Sequence, residues 1–116
     1  MSRDLSLYFN DILQAIVYIK DFTAGMDYST FVHDTRTQHA CIRNLEVIGE
    51  AVKKIPEDIR NVKPEIPWQK IAGLRDILSH EYFGVDVKIL WDVIANKLDN
   101  LYTVIDALKT YQKPNL

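Results

Sequence analysis

Apolar residues recur at steps of three and four along most of the chain, and this spacing limits the fold more than any other feature. The step matches the 3.6-residue turn of an α-helix, which gathers such residues on one face. The pattern predicts a helix from about Asp4 to Phe22 and a second from Ser29 or Thr30 to about Ile55. It predicts a third helix that begins at Pro67, and a last helix from Val87 to about Leu108.

Glycines and prolines separate these segments. Gly25 is a natural stop after the first helix, and Pro56 ends the second. A connection containing three prolines follows, with one helical turn expected at Glu57–Arg60. Gly84 is the expected stop of the third helix, and Asp86 is the expected cap of the last.

The fold expected from this order is an all-α, antiparallel up-and-down bundle of four main helices, because no segment alternates with a period of two. A chain of 116 residues predicts a single domain over residues 1–116. Its core is small, so pairing with a second copy is a simple way to bury more apolar surface.

Composition excludes several classes of protein. An apolar share of 47% and a charged share of 26% are those of a globular chain, not of a disordered one. No uncharged apolar stretch approaches the roughly 18–20 residues of a membrane span, and the N-terminus does not resemble a signal peptide. The single cysteine, Cys41, excludes an internal disulfide and lies on an apolar stripe, where a core residue is expected. The sequence therefore predicts a cytoplasmic protein with no membrane partner.

The formal net charge is −2, but it is distributed unevenly. Residues 53–75 hold six Lys or Arg and three Asp or Glu, whereas the segments on either side are acidic. A mild basic run of this kind is compatible with a solvated loop. The functional alternative is a patch that attracts phosphate groups.

The densest polar group on an otherwise apolar helix contains Arg75, Asp76, Ser79 and His80. Asp76 and His80 are four residues apart and share a face, so the carboxylate can orient the imidazole. Arg75 and Ser79 share another face, and Arg75 and His80 are separated by about 140° around the helix axis. A histidine that titrates near neutral pH can act as a general acid or base, and an arginine can hold a phosphate. Ordinary caps and surface ion pairs at a helix end explain the same residues equally well.

Metal chemistry has little support in the sequence. Glu46 and Glu50 are four residues apart, as carboxylates are in di-iron bundles. Such a site also needs Glu-x-x-His partners on other helices, and the chain has none. We therefore expect no metal and no cofactor.

The string Gly73-Leu-Arg75-Asp76-Ile-Leu-Ser-His80-Glu-Tyr82-Phe83 resembles the HepT-like branch of the HEPN superfamily. That branch carries an Arg, a polar residue, three spacers and then His-x-Tyr. The resemblance extends to the string from Arg43 to Ala51 in the second predicted helix, to Ile66-Pro67-Trp68, and to Phe83-Gly-Val-Asp86 with Trp91. It covers essentially the whole chain in order and spacing. Many members have Asn where this chain has Asp76, which leaves the role of that position open.

The resemblance implies a toxin of a toxin–antitoxin pair, a homodimeric helical bundle with metal-independent ribonuclease activity. It implies that Arg75 and His80 of two subunits converge at the dimer interface as catalytic residues, with Asp76 and Ser79 in support. It further implies an MntA-like nucleotidyltransferase antitoxin that transfers AMP to Tyr82 and silences the enzyme. RNA is the expected substrate, and no DNA partner is expected.

Two other interpretations stay open at this point. The chain could be a catalytically weak helical partner of a nucleotidyltransferase, with Tyr82 only as the acceptor. It could also be a structural bundle without activity. Tyr8 and Tyr102 fall on apolar stripes, so we expect both to be partly buried and poor acceptors of a nucleotide.

Overall fold

Helices make up most of the chain in the computed structural model, which describes residues 3–81 and 86–111, with side chains over 5–74 and 86–111. No strand occurs in these ranges, so the all-α prediction is confirmed. The helices are α1 (Arg3–Phe22), α2 (Tyr28–Val32), α3 (Thr35–Lys53), α4 (Glu57–Arg60), α5 (Trp68–Glu81), α6 (Val87–Asn96) and α7 (Leu98–Thr110). No described helix is both long enough and apolar enough to cross a membrane.

The core lies around α1. Phe9, Ile12, Ile16 and Ile19 are fully buried on one face of this helix. Burial of a side chain of this size stabilises a fold by about 1.5–3 kcal/mol. α1 packs against α3 and α7, and α3 packs against α5. The long helices therefore follow one another in space in the order α5, α3, α1, α7.

The second predicted helix is two helices, which corrects the expectation of one helix from residue 29 or 30 to residue 55. The break is at Asp34, whose Oδ1 accepts from the Thr37 amide at 3.0 Å and whose Oδ2 accepts from the Thr37 hydroxyl at 2.7 Å. An aspartate that caps a new helix competes with continuation of the old one. Residues 33–39 contain no apolar side chain, so the apolar stripe is interrupted at this break, and the expected single helix ran across a polar gap. The helix also ends at Lys53, two residues before the expected end.

The last predicted helix is also two, with Lys97 between α6 and α7. Asp86 caps α6 as predicted, accepting from the Lys88 amide at 2.8 Å. α6 packs against α2, where the rings of Phe31 and Trp91 are 5.0 Å apart between centroids. The break allows α6 to turn toward α2 while α7 follows α1.

Two other expectations about local structure are confirmed. The single turn at Glu57–Arg60 is α4. Gly25 follows α1 with a φ of 75°, a conformation that glycine adopts without the penalty that a Cβ would add. The Thr23 hydroxyl donates to the carbonyl of Ile19 at 2.9 Å and closes the last turn of α1.

Candidate active site

The helix that carries the predicted site residues is held firmly at its first turn. Trp68, the first residue of α5, is 7% exposed. Its indole Nε1 donates to the carbonyls of Arg60 and Lys63, each at 3.0 Å. The amide of Ile71 donates to the carbonyl of Pro67 at 3.1 Å. These bonds fix the start of α5 against the segment that follows α4.

From this anchor, α5 runs along α3 and contains four of the five predicted site residues. Arg75, Asp76, Ser79 and His80 all lie in its helical backbone, which continues to Glu81. The helical spacing used to pair Asp76 with His80 is thus present in the backbone. The side chains of the four lie outside the described residues, as do Tyr82 and the predicted stop at Gly84. Which of these side chains meet stays a prediction.

A glycine opens one face of α5 beside these residues. A Cβ on Gly73 would have no atom within 4 Å among the described residues. Glycine in a helix interior costs about 0.8–1 kcal/mol relative to alanine, and no close contact with a described atom requires it here. Gly73 is seven residues, or two turns, before His80, so the two positions share a face of the helix. The protomer leaves room for another molecule to approach α5 along this face.

The second string of the resemblance lies on α3 and makes local contacts. Arg43 and Glu46 form an ion pair of 3.7 Å between Nη1 and Oε2, and the Arg43 side chain is 73% exposed. Such exposed pairs contribute less than about 1 kcal/mol. The Asn44 side chain donates to the carbonyl of Ala40 at 2.9 Å. Among the described residues, no group of three or more His, Cys, Asp or Glu is placed to hold a metal ion.

Cys41 is confirmed as a core residue. Its side chain is fully buried in α3. Burial raises the pKa of the thiol to about 11, and the nearby carboxylate of Asp34 adds to the shift. The thiolate is the nucleophilic form of cysteine, so this residue is not suited to nucleophilic catalysis.

Two grooves flank the first half of α5, and sequence reasoning did not find either. One, of about 540 Å³, lies between α3, α5 and the junction of α6 with α7, with apolar residues such as Leu45, Ile71 and Leu101 among its walls. The other, of about 470 Å³, lies between α4 and the start of α5 and contains Arg60 and Lys70. The excess of basic residues in 53–75 was the one signal in the sequence that pointed to the second groove.

Comparisons with known proteins agree on one family. The family model described as "Ribonuclease HepT-like" matches residues 12–108. A Methanocaldococcus jannaschii protein named "Putative RNase MJ0127" is 48% identical over 98 residues, which are 84% of this chain and 81% of the relative. A Thermococcus cleftensis protein named "Probable ribonuclease HepT" is 43% identical over 109 residues, which are 94% of this chain and 99% of the relative. No solved structure matches the chain significantly.

Proposed function

The chain belongs to the ribonuclease HepT-like family, and we propose that it is a metal-independent endoribonuclease, the toxin of a toxin–antitoxin pair. The observation that carries the proposal is the location of Arg75 and His80. Both lie in one helix, α5, inside the matched region of residues 12–108. The two relatives described above are named as ribonucleases and match over at least four fifths of their length, which supports RNA as the substrate.

Cleavage of RNA without a metal needs a base, an acid and positive charge at the phosphate. In the proposed reaction, one His80 takes the proton of the 2′-hydroxyl, and the 2′-oxygen attacks the adjacent phosphorus. The bond from phosphorus to the 5′-oxygen breaks, and a second His80 donates a proton to that oxygen. The products are a 2′,3′-cyclic phosphate and a 5′-hydroxyl, and no water is consumed. Arg75, always protonated, stabilises the charge on the phosphoryl oxygens.

Two histidines require two protomers, so the proposed enzyme is a homodimer with a composite site. Arg75 and His80 are about 140° apart around α5, which makes it difficult for one helix to present both to one phosphate. A second α5 that approaches along the open face at Gly73 would bring its own residues to the first. The space beside Gly73 therefore favours the composite arrangement. Asp76 is proposed to orient His80, and Ser79 to support Arg75.

Regulation is proposed to occur at Tyr82, by a nucleotidyltransferase antitoxin. The phenolic oxygen attacks the α-phosphorus of ATP, pyrophosphate leaves, and the phenolic proton is released. The bound AMP adds bulk and negative charge next to His80, where the RNA phosphate must lie.

Other tyrosines compete as acceptors, and they differ in exposure. Tyr8 is half-buried, and Tyr102 is partly buried as predicted, although 37% of its surface is exposed. Tyr18 on α1 is 47% exposed. Acceptor assignment must therefore distinguish Tyr82 from two accessible alternatives.

The catalytic proposal is tested by RNA cleavage with purified protein. His80→Ala and Arg75→Ala should each lower the rate by about 10²–10⁴-fold, because each removes a group that acts on the reacting atoms. His33→Ala, a substitution of an exposed histidine at the end of α2, is the matched control and should keep the wild-type rate. Cleavage should persist in EDTA and leave cyclic phosphate ends. Loss of cleavage in EDTA with recovery in Mg²⁺ would contradict the mechanism, and a monomer by light scattering would contradict the composite site.

The regulatory proposal is tested by co-expression with the antitoxin and intact mass measurement. Each AMP should add about 329 Da, and Tyr82→Phe should abolish the addition and leave a toxin that the antitoxin no longer silences by modification. Tyr18→Phe and Tyr102→Phe are the controls, and both variants should still gain the mass of AMP. A wild-type protein that accepts AMP but cleaves no RNA would instead support the alternative, an inactive partner of the transferase.

A further inference from the structure

The groove between α4 and the start of α5 is lined by groups suited to an anion. Arg60 is half-buried at the end of α4, and Lys70 is an exposed residue of the first turn of α5. The amide side chains of Asn61 and Gln69 lie in the same groove and add neutral donors. Its volume of about 470 Å³ exceeds that of a single phosphate group, so it could accept part of a longer chain.

One donor atom of Arg60, a residue that lines this groove, lacks a hydrogen-bond partner among the described residues. The Nε of Arg60 is buried, and within the described part of the chain it makes no hydrogen bond. A buried donor without an acceptor costs about 1–3 kcal/mol, and more when the group is charged. The described residues therefore leave the guanidinium of Arg60 incompletely satisfied.

The walls of the groove are held in position before any ligand arrives. The indole of Trp68 bridges the carbonyls of Arg60 and Lys63, so the end of α4 and the start of α5 are tied together. The first turn of α5 also brings the positive end of a 14-residue helix to this groove. Donors that are already held in position bind an anion without the entropic cost of ordering a loop.

The charge balance of the groove favours an anion, with one opposing group. Arg60 and Lys70 contribute two positive charges, and Glu57 contributes one negative charge. Glu57 is exposed, so solvent weakens its effect. Removal of the Glu57 charge should therefore strengthen anion binding, whereas removal of a basic charge should weaken it.

We propose that this groove, with Arg60 and Lys70 as the main ligands, binds a backbone phosphate of the RNA substrate away from the cleaved bond. The proposal rests on the proposed ribonuclease function and adds a substrate-binding subsite to it. Lys70 and His80 are ten residues apart on α5, which corresponds to about 15 Å along the axis. A strand held at both points must extend over this distance, so a dinucleotide is too short to use the groove.

The main test is binding of a labelled single-stranded RNA of about 12 nucleotides, methylated at every 2′-oxygen to prevent cleavage, by fluorescence anisotropy. Lys70→Gln should weaken binding about 10-fold at low salt and make the dependence of log K on log salt shallower by about 0.7. Glu57→Gln should strengthen binding about 3-fold. Lys88→Gln, at an exposed lysine of α6 outside the groove, is the matched control and should behave like wild type.

Substrate length provides a second measurement. Lys70→Gln should slow cleavage of a long RNA at subsaturating concentration by a larger factor than it slows cleavage of a dinucleotide. Equal salt slopes for Lys70→Gln, Lys88→Gln and wild type would overturn the proposal. An equal loss of cleavage for short and long substrates would also overturn it, because it would place Lys70 at the catalytic site.

Binding to the groove itself is measured by NMR with inorganic phosphate as the probe. The indole signal of Trp68 should shift saturably with phosphate in wild type, but not in Lys70→Gln or with chloride at equal ionic strength. Trp91→Phe assigns the signal, because the chain has two tryptophans. If phosphate shifts Trp68 but the protein neither binds nor cleaves RNA, the ribonuclease function and the RNA assignment both fail. If RNA is cleaved but the Trp68 signal does not respond, the subsite alone fails.

Discussion

Replacement of Gly73 by alanine should stabilise the protomer. Gly73 lies inside α5, and a Cβ there would touch none of the described atoms. The substitution removes the conformational freedom that glycine has in the unfolded chain and adds no clash. The expected gain in the free energy of unfolding is about 0.8–1 kcal/mol, which corresponds to a rise of about 4 °C in Tm for a chain of this size.

Gly25, in the turn after α1, is the control for backbone conformation. A Cβ at Gly25 also has no described atom within 4 Å, but its φ is 75°. An L-residue in this conformation costs about 1–2 kcal/mol. Gly25→Ala should therefore lower the free energy of unfolding, although the space around the two glycines is the same.

The assay is urea unfolding followed by circular dichroism, with each variant measured at low and high protein concentration. A loss of stability for Gly73→Ala at low concentration would refute the argument that the space beside α5 is open. A similar effect of the two substitutions would refute the role assigned to backbone conformation. A gain at low concentration that disappears at high concentration would instead indicate that a second copy packs closely at Gly73.

Three further predictions follow from burial and from helix capping. The thiol of Cys41 has a pKa of about 11, so about one molecule in a thousand should carry a thiolate at pH 8. Alkylation of Cys41 should therefore be slow until the protein is unfolded in guanidinium. Rapid alkylation of the native protein would contradict the burial of this residue. Hydrogen bonds from Thr37 lower the pKa of Asp34, so the stability that this carboxylate contributes is complete above its unfolded pKa and is lost as pH falls through the lower folded value. Asp34→Asn should reduce the loss of stability at acid pH, measured as the urea midpoint of unfolding at a series of pH values. An unchanged loss of stability at acid pH would argue against the helix cap at Asp34. Phe31→Ala should lower the free energy of unfolding by about 3–5 kcal/mol, because the ring is fully buried and packs against Trp91. A change below about 1 kcal/mol would mean that α2 does not anchor α6.

Much of this fold was predictable from local patterns. The helical spacing of apolar residues predicted the regions of α1 and α5, and Glu57–Arg60 and Asp86 were correctly identified as a turn and a cap. These features depend on neighbouring residues and backbone propensity, which the sequence encodes directly. The break at Lys97 was missed because the apolar stripe continues through it without a glycine or proline. The break at Asp34 lies in a polar gap, residues 33–39, which the prediction of one helix passed over.

Some features of the candidate site were predictable from the sequence, and others depend on the tertiary structure. The sequence by itself predicted Arg75, His80 and Tyr82 as site residues through a motif, and the first two lie in the helical backbone of α5. It could not determine that Arg60 and Lys70 lie in one groove, because they come from two helices joined by a loop. Spacing along one helix fixes an angle between side chains, but only the packing of α5 against the segment after α4 brings residues of different helices together. The open face at Gly73 is also a tertiary result, because it depends on which helices do not cover α5.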